Sequence, residues 1–158
     1  MNTAASRIGV GHSVIAGAVV LLAIAVAGCD ETLSSVAGPT PNLQPTFSSI
    51  QREIFDTTDS SGRLACTPCH SNVGRTPTGG LNLLPGLSYT SLVGVASTGK
   101  PGAVRVIQGD PESSYLVQKL EGRGAIAGVR MPRGNGPFLT EGQMLVLKRW
   151  ISNGAPNN

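Results

Sequence analysis

The chain has 158 residues, a length that predicts one domain rather than several. Its formal net charge is only +3 at pH 7 and no basic stripe is visible, which excludes a nucleic-acid-binding protein. With 21 glycines, 11 prolines and 4% aromatic residues, the composition predicts a loop-rich fold with short helices.

Residues 1–28 have the pattern of an export signal. Arg7 lies in a short N-terminal segment, and residues 14–27 form an unbroken run of small and aliphatic side chains. This run has the length of a signal-peptide core and is shorter than the ~20 residues that span a bilayer, although a plain N-terminal membrane anchor is the alternative. We therefore expect residues 1–28 to be cleaved and the protein to be exported.

The end of this run, Val26-Ala27-Gly28-Cys29, resembles the lipobox of bacterial lipoproteins. The resemblance implies that Cys29 becomes the N-terminal residue and carries lipid chains, which anchor a protein by burying methylene groups. Ordinary cleavage at the small residues, which would leave a soluble protein, is the alternative. We expect a lipid anchor on the periplasmic side of a bacterial membrane, either the inner or the outer one.

Residues 29–45 are predicted to be an extended tether, followed by a single domain at residues 46–158. The tether mixes Pro39, Pro41 and Pro45 with serine, threonine, glycine and asparagine, and it has no apolar periodicity. Such a segment would hold the domain away from the membrane surface.

Two short helices are predicted in the first half of the domain. Apolar residues recur at helical spacing in the first helix, at Phe47, Ile50, Ile54 and Phe55. Ser88 is the expected N-cap of the second helix, which carries Tyr89, Leu92 and Val93.

Two further helices are predicted in the second half. Asp110 and Pro111 form a typical helix start, with an acidic N-cap before a proline at the first helical position, and Gly122 ends this helix. The last helix begins at Thr140, which is placed to form a capping box with Gln143. Its apolar stripe consists of Met144, Leu147, Trp150 and Ile151.

Cys66-Thr67-Pro68-Cys69-His70 is a C-x-x-C-H motif, the signature of covalent haem attachment. Two thiols three residues apart on a turn can each bond to one vinyl group of the same porphyrin, and the next histidine then lies under the iron. A structural zinc site needs four ligands, which the predicted mature chain does not offer. A thiol–disulfide oxidoreductase needs a βαβ pattern, which is also missing. We therefore expect one c-type haem at Cys66, Cys69 and His70.

Methionine is the expected second protein ligand of the iron. His70 is the only histidine of the predicted mature chain, which leaves methionine, an amine or an open site. Met144 is explained by packing in the last helix. Met131 stands in a glycine-rich loop before Pro132, which biases its backbone to an extended conformation. We expect His70 and Met131 to be the metal ligands, with Met144 as the alternative.

Residues 47–156 resemble monohaem class I cytochromes c, and most of all the cytochrome domains first noted in planctomycete proteins. The stretches that carry the resemblance are Cys66–His70, Gly79–Leu83, Gly109–Leu116, Arg130–Pro132, Leu139–Thr140 and Trp150–Ala155. The resemblance implies an all-α fold of short helices and long loops around one covalent haem, with the first and last helices crossing. It also implies His70 as the proximal and Met131 as the distal ligand.

Two positions keep alternatives open within this resemblance. Relatives hold the ligand histidine with the backbone carbonyl of a downstream proline, and Pro77 and Pro85 are both candidates. Trp150 either packs on the haem edge, as aromatic residues of the last helix do in relatives, or is an ordinary core residue. The polar stretch between the first helix and Cys66 is longer than the family pattern.

We expect an electron carrier rather than an enzyme. The partner implied by the resemblance is an oxidase, a reductase or a dehydrogenase, and no small-molecule substrate is expected. One alternative is a haem sensor or small redox enzyme with an open sixth iron position, which would require Met131 to be absent from the iron. The other alternative is a haem-relay subunit of a larger membrane complex.

Overall fold

The computed structural model of the chain describes Met1 and residues 38–158. The rest of the predicted signal peptide, the lipidation site Cys29 and the first part of the tether lie outside the described residues, so these assignments stay predictions. Across residues 38–158, no helix has the length and apolarity needed to cross a membrane.

Regular structure in residues 38–158 is helical and includes no sheet. Helix α1 spans Phe47–Ile50 and continues as a π-helical turn over Gln51–Phe55; a 3-10 turn follows at Thr78–Gly80, and helices α2, α3 and α4 span Ser88–Leu92, Tyr115–Glu121 and Glu141–Ser152. Residues 93–110 contribute only isolated β-bridges, such as the pair Ala96 and Val104. The predicted all-α class is confirmed at this coarse level, with short helices and long connections.

Helix α1 forms where the apolar spacing predicts it. Thr46 caps the helix, because its Oγ1 accepts a hydrogen bond from the Ser49 amide at 3.3 Å. The apolar side chains of its predicted face are all buried: Phe47, Ile50, Ile54 and Phe55. The Phe47 ring lies 5.4 Å from the Trp150 ring of α4, so α1 and α4 share one core.

Helix α4 is also confirmed, including its start. The Thr140 Oγ1 accepts from the Gln143 amide at 3.2 Å, and the Gln143 Oε1 accepts from the Thr140 amide at 2.9 Å, which completes the capping box. The predicted apolar stripe is buried at Met144, Leu147, Trp150 and Ile151. Trp150 Nε1 donates to the Pro156 carbonyl at 2.9 Å. Trp150 is therefore a core residue that also secures the C-terminal segment.

Helix α2 starts one residue earlier than predicted. Ser88 is its first residue rather than its N-cap, and the Ser88 hydroxyl donates to the side chain of Gln51, in the π-helical turn that follows α1. The Gln51 amide nitrogen in turn donates to the Leu83 carbonyl at 2.8 Å. These bonds join the π-helical turn, the loop before α2 and α2 itself. Because the Ser88 hydroxyl is used in this long-range contact, it does not cap the helix locally.

The predicted start of helix α3 at Asp110 and Pro111 is wrong. The Asp110 carboxylate accepts from the Ser113 amide at 3.0 Å and closes a turn, after which the helix begins at Tyr115. Aspartate followed by proline favours a turn as well as a helix start, so the sequence pattern fits both. Gly122 ends α3 in the left-handed conformation (φ 71°), as predicted.

The packed part of the chain begins before the predicted boundary at residue 46. Thr40 and Leu43 are both buried, and Leu43 belongs to the core cluster. Gln143 Nε2 of α4 donates to Thr40 Oγ1 at 3.2 Å. Residues 40–45 therefore belong to the domain, and the predicted tether at residues 29–45 extends too far. A single leucine among prolines has no periodicity that would reveal its burial.

Candidate functional site

The C-x-x-C-H motif folds as a turn against the end of helix α1. The Cys66 amide donates to the Phe55 carbonyl at 2.8 Å. The amides of Cys69 and His70 both donate to the Cys66 carbonyl, at 3.2 and 3.0 Å. These bonds close one helical turn, so the spacing of the motif places Cys66, Cys69 and His70 together on a short, fixed piece of backbone.

A buried ion pair lies directly before this turn. The side chains of Arg63 and Asp59 are 0% and 1% exposed, with 3.0 Å between Nε and Oδ2. The other four N–H groups of the guanidinium donate to the carbonyls of Glu53, Ile54, Thr57 and Leu64. Burial alone would raise the pKa of Asp59, but hydrogen bonds from Ser61 and Gln143, together with the Arg63 guanidinium, lower it to about 2. This network orders the long polar stretch that precedes Cys66.

The imidazole of His70 is oriented by a backbone carbonyl. Its Nδ1 lies 3.0 Å from the Thr78 oxygen, which can only accept, so Nδ1 carries the proton and Nε2 keeps its lone pair. Burial lowers the pKa of His70, and hydrogen bonds to the backbone of Thr78 and Leu81 oppose that shift only in part. The orienting residue is Thr78 rather than either candidate proline, Pro77 or Pro85. A neutral imidazole held in this way is prepared to bind a metal ion.

The two cysteines are free thiols with different surroundings. Cys66 is half-buried and Cys69 is exposed. Burial raises the pKa of the Cys66 thiol to about 11, so this thiol is protonated at neutral pH. Thiol–disulfide enzymes depend on a cysteine whose pKa is lowered, and the pKa of Cys66 is shifted in the opposite direction.

Among the described residues, no group of three or more His, Cys, Asp or Glu side chains is placed to hold a metal ion.

Cys66, Cys69, His70 and Met131 line one cavity of about 450 Å³. Cofactor and small-molecule sites are typically about 300–1,000 Å³ and mostly apolar. The wall of this cavity is largely aliphatic and aromatic, with contributions from Ile54, Phe55, Leu83, Leu92, Leu116 and Leu120. An apolar site of this size suits a large, flat, mainly hydrophobic group.

The charged residues at the cavity are all basic. Arg75, Arg105, Lys119 and Arg133 line it, and no aspartate or glutamate is found among its described lining residues. Arg105 is buried; its guanidinium donates to the Ser91 carbonyl at 2.7 Å and to the Gly79 carbonyl at 3.0 Å. A cavity with this balance favours a ligand that carries negative charge.

Met131 lies at this cavity, whereas Met144 does not. Met131 is half-buried in the loop that follows α3 and lines the cavity together with His70. Met144 is buried in α4 and is not among the described residues that line it. The fold thus brings together the predicted residues Cys66, Cys69, His70 and Met131 from distant parts of the sequence. Trp150 is likewise not among the described residues at the cavity, in keeping with its place in the core.

Sequence patterns did not reveal three contributors to the site. Thr78 acts through its backbone carbonyl, which has no side-chain signature. Arg63 and Arg105 are single arginines in polar or irregular segments, where this residue type is usually exposed.

Comparison of the chain with protein-family models, curated proteins and solved structures found no match.

Proposed function

We propose that the protein is an electron carrier that holds a single c-type haem. The observation that carries this proposal is the meeting of a C-x-x-C-H turn and a methionine from a distant loop at one apolar cavity. The thiols of Cys66 and Cys69 would form the two thioether bonds. His70 and Met131 would be the axial ligands of the iron, a pair that favours a high reduction potential.

The residues at the cavity fit such a group. A porphyrin has broad apolar faces, which match the aliphatic and aromatic wall, and its two propionates carry negative charge, which matches the basic residues. Because the Thr78 carbonyl engages Nδ1 of His70, Nε2 is the nitrogen that would bind the iron. Cys66 and Cys69 are unpaired thiols at the same cavity, as the attachment chemistry requires.

When bound, the haem supplies a one-electron couple between ferric and ferrous iron. The chain's own contribution is orientation and environment. Thr78 fixes the proton of His70 on Nδ1 and thereby the direction of its ring. The apolar wall keeps water away from the site, and Arg63 holds the backbone from which the motif turn starts. We propose no acid–base step and no bound substrate, so the protein acts as a carrier rather than as an enzyme.

The resemblance to class I cytochromes c supports the same function. In that family the first and last helices cross, and here α1 and α4 meet through Phe47 and Trp150. The proposed setting is the periplasmic side of a bacterial membrane, with lipid on Cys29 and a redox protein as partner. This setting rests on the sequence of the export signal and the lipobox.

Spectroscopy of matched leucine variants tests the ligand assignment. Leucine keeps most of the volume of methionine and removes the sulfur. Exported wild-type protein and Met144→Leu are expected to carry covalent haem and to show the weak near-infrared band of a sulfur–ferric iron bond. Met131→Leu is expected to keep the haem and lose the band. A band that persists in Met131→Leu and disappears in Met144→Leu would reverse the assignment, and exported protein without covalent haem would end the proposal.

A further inference from the structure

The end of helix α3 is bonded to the loop that carries Met131. The last carbonyls of a helix lack intrahelical partners and must be satisfied from elsewhere. The Lys119 carbonyl accepts from the Met131 amide at 2.9 Å, and the Leu120 carbonyl accepts from the Arg130 Nε at 2.7 Å. Two of these free carbonyls therefore hold the residues at and next to the proposed distal ligand.

The side chain of Lys119 binds the same loop a second time. Its ammonium donates to the Ala127 carbonyl at 2.9 Å and also to the Val129 carbonyl. Hydrogen bonds from a charged donor are stronger than neutral ones. The Tyr115 hydroxyl of α3 accepts from the Ala127 amide at 2.9 Å, so both backbone polar groups of Ala127 are bonded to α3. Residues 127–131 are thus attached to one face of a seven-residue helix.

The loop has little structure of its own to place a ligand. Residues 123–140 contain no helix, and several glycines lie among them. A flexible loop must lose backbone freedom to hold one side chain at one point, which disfavours the ligated state unless other bonds order it. Lys119 supplies three such bonds, one from its carbonyl and two from its ammonium.

The ammonium group of Lys119 is bonded to the backbone of this loop. Within residues 38–158 it forms no ion pair, although it is half-buried and lines the cavity. A compact ammonium with three donors can reach two carbonyls two residues apart, whereas a planar guanidinium presents its donors in a fixed fork. Lys119 is half-buried and its ammonium binds two backbone carbonyls, as expected of a side chain that orders a loop.

We propose that Lys119 is the positioning residue for Met131. Its ammonium pins the backbone at Ala127 and Val129 while its carbonyl holds the Met131 amide, and together they keep the thioether at the cavity. This inference rests on the proposed function, since it concerns the stability of the bond between Met131 and the iron. It makes the occupancy of the sixth iron position depend on a residue that does not itself bind the iron.

Carbon monoxide binding by the reduced protein measures this occupancy, because carbon monoxide must compete with the Met131 sulfur for the sixth position of the iron. The test variant is Lys119→Met, which removes the ammonium and keeps the apolar stem. The matched control is Lys148→Met, since Lys148 is a half-buried lysine of α4 whose ammonium pairs with the carboxylates of Glu112 and Glu121 rather than with the loop carbonyls that Lys119 binds. Loss of the charge-assisted bonds is expected to raise the apparent affinity for carbon monoxide at least about tenfold in Lys119→Met. The control is expected to stay within about twofold of wild type.

Two further readouts, protein mass and thermal unfolding, separate the possible outcomes. The mass of each exported protein reports covalent haem, and its absence from wild type would overturn the proposed function rather than the role of Lys119. Thermal unfolding reports general stability, which both lysine variants can lower. Equal carbon monoxide affinities in Lys119→Met and Lys148→Met, with haem present, would overturn the positioning role. If Lys119→Met does not accumulate, Lys119→Gln decides in its place: a smaller rise than tenfold is expected, and no rise overturns the proposal.

Discussion

Replacing Arg63 by methionine tests how far the fold of the motif depends on one buried side chain. The five N–H groups of Arg63 all have acceptors: the Asp59 carboxylate and the carbonyls of Glu53, Ile54, Thr57 and Leu64, at 3.0–3.1 Å. Methionine fills much of the same space and offers no donor. Arg63→Met therefore leaves one carboxylate and four carbonyls without this partner inside the protein.

The expected loss of stability is large. Removing one partner of a buried ion pair typically costs about 3–5 kcal/mol, because the other charge stays buried. Domains of this size are usually stable by about 5–15 kcal/mol, so Arg63→Met removes a substantial part of the total. The exposed pair of Arg52 with Glu53 provides the contrast, since the Arg52 side chain is 63% exposed. Arg52→Met is expected to cost at most about 0.5 kcal/mol.

Urea unfolding followed by circular dichroism gives the free energies of wild type, both arginine variants, Asp59→Asn and the double variant Asp59→Asn/Arg63→Met. The double variant is expected to lose about 0.5–3 kcal/mol less than the sum of the single losses, because each single change already breaks the pair. A loss below about 1 kcal/mol in Arg63→Met, or strictly additive losses, would refute the role given to this network.

Two other predictions concern acid stability and the end of α3. The pKa of Asp59 is about 2 in the folded protein against an ordinary value of 3.8, so the ionised carboxylate stabilises the fold above about pH 4. This contribution to the free energy of unfolding, about 2 kcal/mol, is lost as the pH falls from about 4 to about 2. Urea midpoints measured across this range are expected to fall more steeply in wild type than in Asp59→Asn, and equal slopes would contradict the assignment. Gly122→Ala is expected to destabilise the protein more than Gly124→Ala does in the same urea assay. Both glycines have φ near 70°, so the backbone strain of the two alanines is similar. A Cβ at Gly122 would lie 2.9 Å from the Arg130 Cδ, whereas a Cβ at Gly124 would have its nearest atom 3.8 Å away. Equal losses in the two alanine variants would show that crowding against Arg130 is unimportant.

Local patterns predicted those parts of the fold whose cause is local. The capping box of Thr140 and Gln143 and the apolar stripe of α4 need only neighbours three or four residues away, and both are present. The Cys66–His70 turn is closed by equally local bonds, from the amides of Cys69 and His70 to the Cys66 carbonyl. Where a distant group competes, local patterns mislead: Ser88 pairs with Gln51 instead of capping α2.

Sequence reasoning could predict which four residues meet at the cavity, but it could not predict the contacts that support them. The motif chemistry singled out Cys66, Cys69 and His70, and elimination among the methionines singled out Met131; the structure places all four at one cavity. The supporting contacts join residues that are far apart or act through backbone atoms, as with the Thr78 carbonyl. No periodicity records such contacts, because they arise only when the loops have been placed.

The mass of the exported polypeptide, determined together with its absorbance in alkaline pyridine, tests the haem assignment most directly. Protein recovered from the periplasmic side of the host membrane is expected to carry the added mass of one haem, located on the peptide that contains Cys66 and Cys69, and to give the spectrum of a porphyrin with both vinyl groups saturated. Recovery of folded, exported protein in which both thiols react freely with an alkylating reagent and no porphyrin is attached would contradict the assignment.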